Sequence, residues 1–457
     1  MNKKIKLILL FIVVGTFGLQ RVFAGWQPVP YVGLDMDPMK SVFMIFPRVD
    51  SGHATNAFND VRDEITLGEF IFGEGLQLQD IFLASKVAGQ GDTNVQPGNY
   101  LSLIGSTTML MGAVQECTRT SLGASYTMAL GSSDILWTNE IMLPIESWQQ
   151  KMTMLFRGDG LGTTTTGGAT DPSTFFESYS DISSFVQKEI VDPKGLVFNP
   201  LQSKVVIGAI RLVSALDFSN YLSECVSRWQ CGFVAHLISP YASSPDVIWP
   251  IQAGFGATYL GGFGQVYLNF NKISNPFFVI DIEAAVPTND VQRVPMLKSP
   301  SHAQVSAGTA TFGNSDILTS ENLAGTHITK DFSLFDSELP FFSDQTVLVH
   351  RHRGTMIEVR VGNTVDCGPV QIKVWYEYAH RCTDSHRLSD MAAPLAVDNV
   401  YNFAALAVHT KNTYNMICWK AMYEVDGVRF TFGTDYTVAG KTAPKYIVLS
   451  LEAEVAF

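Results

Sequence analysis

The chain has 457 residues, a net charge of −12, and only 16% charged residues against 46% hydrophobic ones. An acidic balance excludes the basic footprint of a nucleic-acid binder. So much apolar content, with charge well below the roughly one quarter of soluble domains, fits residues that alternate between lipid and water in the wall of a barrel.

In chain order, residues 1–24 carry Lys3, Lys4 and Lys6, an apolar run from Ile5 to Phe17, and the ending Val22-Phe23-Ala24. Positive start, short greasy middle and small-residue exit predict a cleavable secretory signal, the apolar run being too short to span a membrane comfortably. Its removal takes Lys3, Lys4, Lys6 and Arg21 with it and leaves 27 basic against 43 acidic residues, a net charge near −16. Residues 25–65 are rich in Pro and Asp and weakly patterned, and read as a periplasmic lead-in or small plug.

From residue 66 to 457, short segments alternate apolar and polar positions between turn residues, and a period of two is a strand signal. "DILWTNEIML" sets Ile135, Trp137 and Ile141 against Thr138 and Glu140, and "SKVVIGAIRLV" sets Arg211 against Ile210 and Leu212. "FFVIDIEAAV" sets Phe278, Ile280, Ile282 and Ala284 against Asp281 and Glu283. "TMIEVRV" sets Ile357, Val359 and Val361 against Glu358 and Arg360, and "QIKVWYEY" sets Ile372, Val374, Tyr376 and Tyr378 against Lys373 and Glu377. "NMICWKAMYEV" and "VRFTFGTDYTV" oppose Lys420 and Glu424, then Arg429 and Asp435, to apolar partners, with Asp426-Gly427 between them as a tight hairpin turn. Trp375, Tyr376, Tyr378, Trp419, Tyr423 and Tyr436 gather toward segment ends, as in aromatic girdles.

Residues 159–201 and 287–340 break the rhythm and read as long loops, the first with a short amphipathic helix in "FFESYSDISSFVQKEIV". Six cysteines permit disulfides in an exported protein, and Cys225 and Cys231 are close enough to staple one hairpin. "HRCTDSH" places His380, Cys382, Asp384 and His386 at alternate positions, one side of an extended segment, but a rim or loop with no metal is the preferred reading. No nucleophile grouping, GxSxG form or phosphate loop is recognisable, so no enzyme and no cofactor are expected.

The export signal, the recurrent amphipathic strands and a last strand ending in Phe457 resemble bacterial outer-membrane β-barrel proteins, without matching a named porin subfamily. The resemblance covers residues 66–457 and implies an all-β, antiparallel up-and-down transmembrane barrel in the outer membrane of a Gram-negative-type bacterium. It also implies that Leu449, Leu451, Ala453, Val455 and Phe457 form the signal read by the barrel-assembly machinery. With about 9–11 residues per spanning strand, roughly 12 to 18 strands are expected, centred on 14 or 16.

If the apolar faces meet lipid, the lumen receives Glu140, Asp281, Glu283, Glu358, Glu377, Glu424, Asp435, Glu452 and Glu454 together with Arg211, Arg360, Lys373, Lys420 and Arg429. Nine acids against five bases favour cations, as charged rings do in channels. The expected function is therefore passive diffusion of small hydrophilic solutes with a mild cation preference, the partners being outer-membrane lipid, the assembly machinery and a possible second copy. Two other readings stand beside it: a transporter of hydrophobic molecules, similar to the long-chain fatty-acid family, with an N-terminal plug, or a structural or adhesive surface barrel.

Overall fold

The computed structural model describes residues 41–72, 76–77, 108–131, 135–158, 201–218, 226–237, 257–268, 274–294, 309–312, 316–319, 346–390, 403–407 and 410–457. The expected signal (1–24), the helix read in 175–191, and Cys225 lie outside the described residues.

Twelve wall positions close into an antiparallel barrel. In chain order they are β1 (Ser41–Phe58), β4 (Thr108–Gly131), β5 (Leu136–Gly158), the broken pair β6 (Leu201–Ile207) and β7 (Ile210–Asp217), β8 (Val226–Leu237), β9 (Tyr259–Leu268), β10 (Ser274–Ala285), β15 (Met356–Cys367), β16 (Val370–Arg381), β18 (Asn412–Val425), β19 (Val428–Lys441) and β20 (Ala443–Ala456). Each position pairs with its neighbours in sequence order, β6 with β5 alone, and β1 pairs with both β20 and β4, so the cylinder closes on itself. The short segments β2 (Glu64–Thr66) and β3 (Leu76–Gln77) add to the sheet beside β1 and β4, and α1 (Leu67–Phe72) follows β2 directly.

The connections are asymmetric. At one end β15 turns into β16 through Gly368-Pro369 and β18 into β19 through Asp426-Gly427. Asp426 and Gly427 both have positive φ (52° and 72°), the primed turn whose twist matches the flanking strands. Gly368 (φ 68°) holds the first central position of the other turn, where proline's fixed φ suits the second. At the opposite end β1 and β4, β10 and β15, and β16 and β18 are joined by long excursions. One excursion forms a small sheet in the order β11 (Thr288–Arg293), β14 (Thr346–His352), β17 (Ser385–Leu388). Val294, Val347 and Val349 form its core, with Leu388 and with Phe403 and Leu406 of α2 (Phe403–Ala407) packed against them. A separate hairpin pairs β12 (Thr309–Phe312) with β13 (Asp316–Thr319). The stretch expected to be one long loop at 287–340 thus contains strands in its described parts, and Leu201, placed at the edge of the other, is already paired with Lys151.

Three expectations change here. The stretch expected as a lead-in, 25–65, contains a wall strand at 41–58, while residues 25–40 lie outside the described residues. Its alternation is hidden because Met44 and Phe46 face inward while Phe43 and Ile45 face outward, so the lower half of β1 is apolar on both faces. Twelve strands fall at the lower bound of the expected 12 to 18, below its centre of 14 or 16, because β4 and β5 run to 24 and 23 residues, far beyond a minimal span, and β11, β14 and β17 stand outside the wall. Cys231 carries a free thiol on the outward register, so it does not staple a hairpin, and Cys367, Cys382 and Cys418 are also free.

Asp384 anchors the small sheet to the wall. Its carboxylate accepts from Arg351 (Nη2, 2.8 Å), Arg381 (Nη2, 2.7 Å) and the Gly354 amide (2.9 Å), which commits it to structure. Burial opposes its ionisation, yet Arg381 and Arg351 outweigh burial and hold its carboxyl below the usual value. Burial, then the Arg351 charge, pushes His386 on β17 down from 6.5 to about 4. A depressed folded value means that the unfolded segment binds the proton first, so stability is full above pH 6.5 and falls as pH drops through the window to about 4. Amide exchange in β14 and β17, corrected for its intrinsic pH dependence, is expected to speed up across that window, and His386→Gln should flatten the dependence. Protection that is constant with pH in the unmodified protein would refute the assignment.

Candidate functional site

Strand pleating decides what the lumen contains. On each wall strand alternate residues turn inward, and through the middle of most strands the inward set is the more buried one. On β5, Glu146, Trp148 and Gln150 are buried, whereas Ile141, Leu143 and Ile145 are exposed; on β16, Trp375, Glu377 and Ala379 are buried, whereas Val374 and Tyr376 are exposed. The exterior is a jacket of Phe, Ile, Leu, Val, Tyr and Trp, with Phe233 76% exposed. Polar interior and apolar exterior invert the order of a soluble protein and are the architecture of a β-barrel that spans a membrane. No helix among the described residues is long and apolar enough to cross one.

All fourteen predicted interior charges fall on inward registers: Glu140, Arg211, Asp281, Glu283, Glu358, Arg360, Lys373, Glu377, Lys420, Glu424, Arg429, Asp435, Glu452 and Glu454. Their environments differ. Glu424 and Arg429 sit beside the Asp426-Gly427 turn with Glu454, Arg429 reaching Glu454 at 3.2 Å and Glu424 at 3.6 Å, and Glu424 is exposed. Most of the others gather nearer mid-height with residues the sequence pattern did not single out.

On one wall Asp50 of β1 accepts from Arg48 Nε at 2.7 Å and from Arg119 Nε of β4 at 2.7 Å. Arg48 also reaches Glu452 of β20 (3.4 Å), and Arg119 reaches Glu146 of β5 (3.6 Å) while lying 5.5 Å above the Trp148 ring. On another, Arg360 of β15 pairs with Glu358, with Glu377 of β16 at 3.4 Å and with Asp281 of β10 at 4.0 Å. His236 of β8 contacts Glu283 at 2.9 Å. Arg211 lies within electrostatic range of Glu140 and Asp281, and Asp435 of Arg48 and Glu377, so the groups run from strand to strand around the lumen, with β9 adding no charge. Glu377 is fully buried and Arg360 7% exposed.

The wall makes room for these side chains with inward glycines. A Cβ at Gly261 on β9 would meet Glu283 Cγ at 2.7 Å, and one at Gly433 on β19 would meet Lys420 Cγ at 2.9 Å. Gly362 on β15 stands against Trp375 in the same way. Trp375, expected in an outer girdle, instead faces inward and donates its indole N–H to Glu377 at 3.0 Å, which its odd position on β16 required. Tyr376, Tyr378, Trp419 and Tyr423 do face outward.

On β20, Leu449, Leu451, Ala453, Val455 and Phe457 all fall on the outward parity. Leu449 and Phe457 are exposed, Ala453 and Val455 buried, and the Phe457 amide donates to the Phe43 carbonyl at 2.8 Å with the two rings 6.2 Å apart.

Arg48, Asp50, Arg119, Glu146 and His236 escaped the sequence reading. The signal was present in "QECTRTSLGASYT", where every second residue from Gln115 is polar or small, but its outward partners are largely Thr and Glu in the upper half, so neither face looks apolar.

No family model and no curated protein sequence matches the chain. Among solved structures it is similar to an outer-membrane channel from Pseudomonas putida F1, at 8% identity over 95% of this chain and 100% of that one, with a TM-score of 0.46. It is also similar to the transport unit of the autotransporter AIDA-I from Escherichia coli (8%, 94% and 94%, 0.30) and to a FadL homologue of Pseudomonas aeruginosa (7%, 91% and 90%, 0.30). These values are too low to carry a functional argument, and the fold rests on the strand pairing itself.

Proposed function

We propose that the chain is an outer-membrane channel for small hydrophilic solutes, passive and mildly cation-preferring. The observation that carries this reading is the closed wall with a charged interior belt and an apolar jacket. The long excursions all leave from one end and the two-residue turns of β15–β16 and β18–β19 lie at the other, as at the extracellular and periplasmic ends of such barrels. Eight strands leave a lumen filled by side chains and sixteen leave an open one, so twelve suit a narrow passage with the belt as its constriction. Adding Asp50 and Glu146 against Arg48 and Arg119 preserves the acidic excess, which favours cations. On the same reading, the outward residues Leu449 to Phe457 are the handle for the assembly machinery.

Planar-bilayer recording of the refolded mature protein under a salt gradient tests the proposal. Discrete conductance steps with a cation-leaning reversal potential are expected. A protein that inserts without conducting would sink the channel and favour a plugged transporter or an adhesive barrel.

A further inference from the structure

Below the belt, toward the two-residue turns, Lys373 of β16 and Lys420 of β18 stand directly opposite each other on the inward face. Like charges in that relation repel, and sheets avoid it unless something compensates. Neither ammonium takes part in an ion pair among the described residues. Asp435 and Glu454 lie only within longer electrostatic range of Lys420. Arg360, whose charge also acts on Lys373, adds to the positive side and is itself engaged by Glu358 and Glu377.

What Lys373 does contact is aromatic. Its ammonium lies 4.2 Å from the centre of the Phe277 ring and 5.7 Å from those of Tyr267 and Trp375, and Lys420 approaches Trp375 from the other side at 5.8 Å. Tyr267 and Phe277 are stacked at 5.5 Å. Ring faces attract a cation and fix its position, but they do not neutralise it. Both lysines are partly buried on the inward face. Because Lys373 already occupies the ring faces, the missing component of this arrangement is negative charge rather than a second cation.

We propose that Lys373 and Lys420 form a binding step for a carboxylate-bearing solute on the turn side of the belt, with Phe277, Tyr267 and Trp375 holding Lys373 in place. The inference uses the channel reading only for how the solute arrives. A carboxylate placed between the two ammonium groups accepts from both and removes their repulsion.

Calorimetric titration of the refolded protein with sodium benzoate tests the step. Saturable binding is expected, weakened at least tenfold in Lys373→Gln and in Lys420→Gln and retained in Lys420→Arg, with the heat-dependent gel shift verifying that each variant is folded. Benzoate binding that is absent, or equal in the Gln variants, overturns the proposal. So does tetramethylammonium binding that strengthens in Lys373→Gln, which would make the rings a cation cage. Bilayer recording separates the two readings: conductance without benzoate binding defeats this step alone, whereas binding without conductance defeats the channel and leaves the step standing.

Discussion

Replacing Asp50 by Ala is expected to lower the unfolding free energy by about 3–5 kcal/mol, the cost of breaking a buried ion pair from one side. Asp50 is 5% exposed and is the shared acceptor of two guanidinium groups, Arg48 and Arg119, that are themselves buried. Its loss leaves them facing each other with Glu452 at 3.4 Å and Glu146 at 3.6 Å as the remaining acceptors across the wall. Asp50→Asn keeps one acceptor oxygen and should cost less, and Arg119→Ala in the Asp50→Ala background should recover part of the loss. Urea titration of the protein in phospholipid vesicles measures all three. A cost of about 1 kcal/mol or less would match a solvent-exposed pair and would mean that water fills the lumen at this height.

Phe233→Arg is expected to cost about 2–4 kcal/mol, the range for a guanidinium placed on the lipid face near the bilayer midplane. Phe233 projects from β8 between inward-facing Gly232 and Val234, and it is the most exposed of the large hydrophobic residues described. Phe233→Leu should be nearly neutral, since both side chains are apolar. The same vesicle titration decides the matter. In a water-soluble protein the arginine would cost nothing at an exposed site, so an unchanged midpoint would remove the lipid from this face.

How much of this was legible in the sequence depends on what each strand carries on its two faces. β15, β16, β18, β19 and β20 alternate charge with aliphatic or aromatic residues, and their pairing and facing follow from that pattern. Asp426-Gly427 announced its own turn, whereas Gly368-Pro369 encodes an equally tight one less obviously. β1 was hidden because its lower half is apolar inside as well as outside, and β4 because its outward face is partly hydroxylated. The belt was half visible for the same reason: Asp281, Glu358, Arg360 and Glu377 came from strands with clean alternation, while Asp50 and Arg119 came from the two that lack it. Nor could the alternation alone reveal that Trp375 lies against Gly362, because that contact depends on the register that the Gly368-Pro369 turn imposes.

The seam between β1 and β20 has a kinetic corollary. Arg48 and Glu452 meet across it although 404 residues separate them in the chain. A wall closed by such a contact cannot zip shut progressively from one end; every intervening hairpin can form, and the cylinder still stays open until its terminal strands find each other. Loop-closure entropy makes this late contact slow, and until it forms β1 and β20 each expose a full row of unpaired amides and carbonyls. The half-made belt is then an uncompensated line of charge along an open margin, so the last registration event both seals the wall and neutralises it.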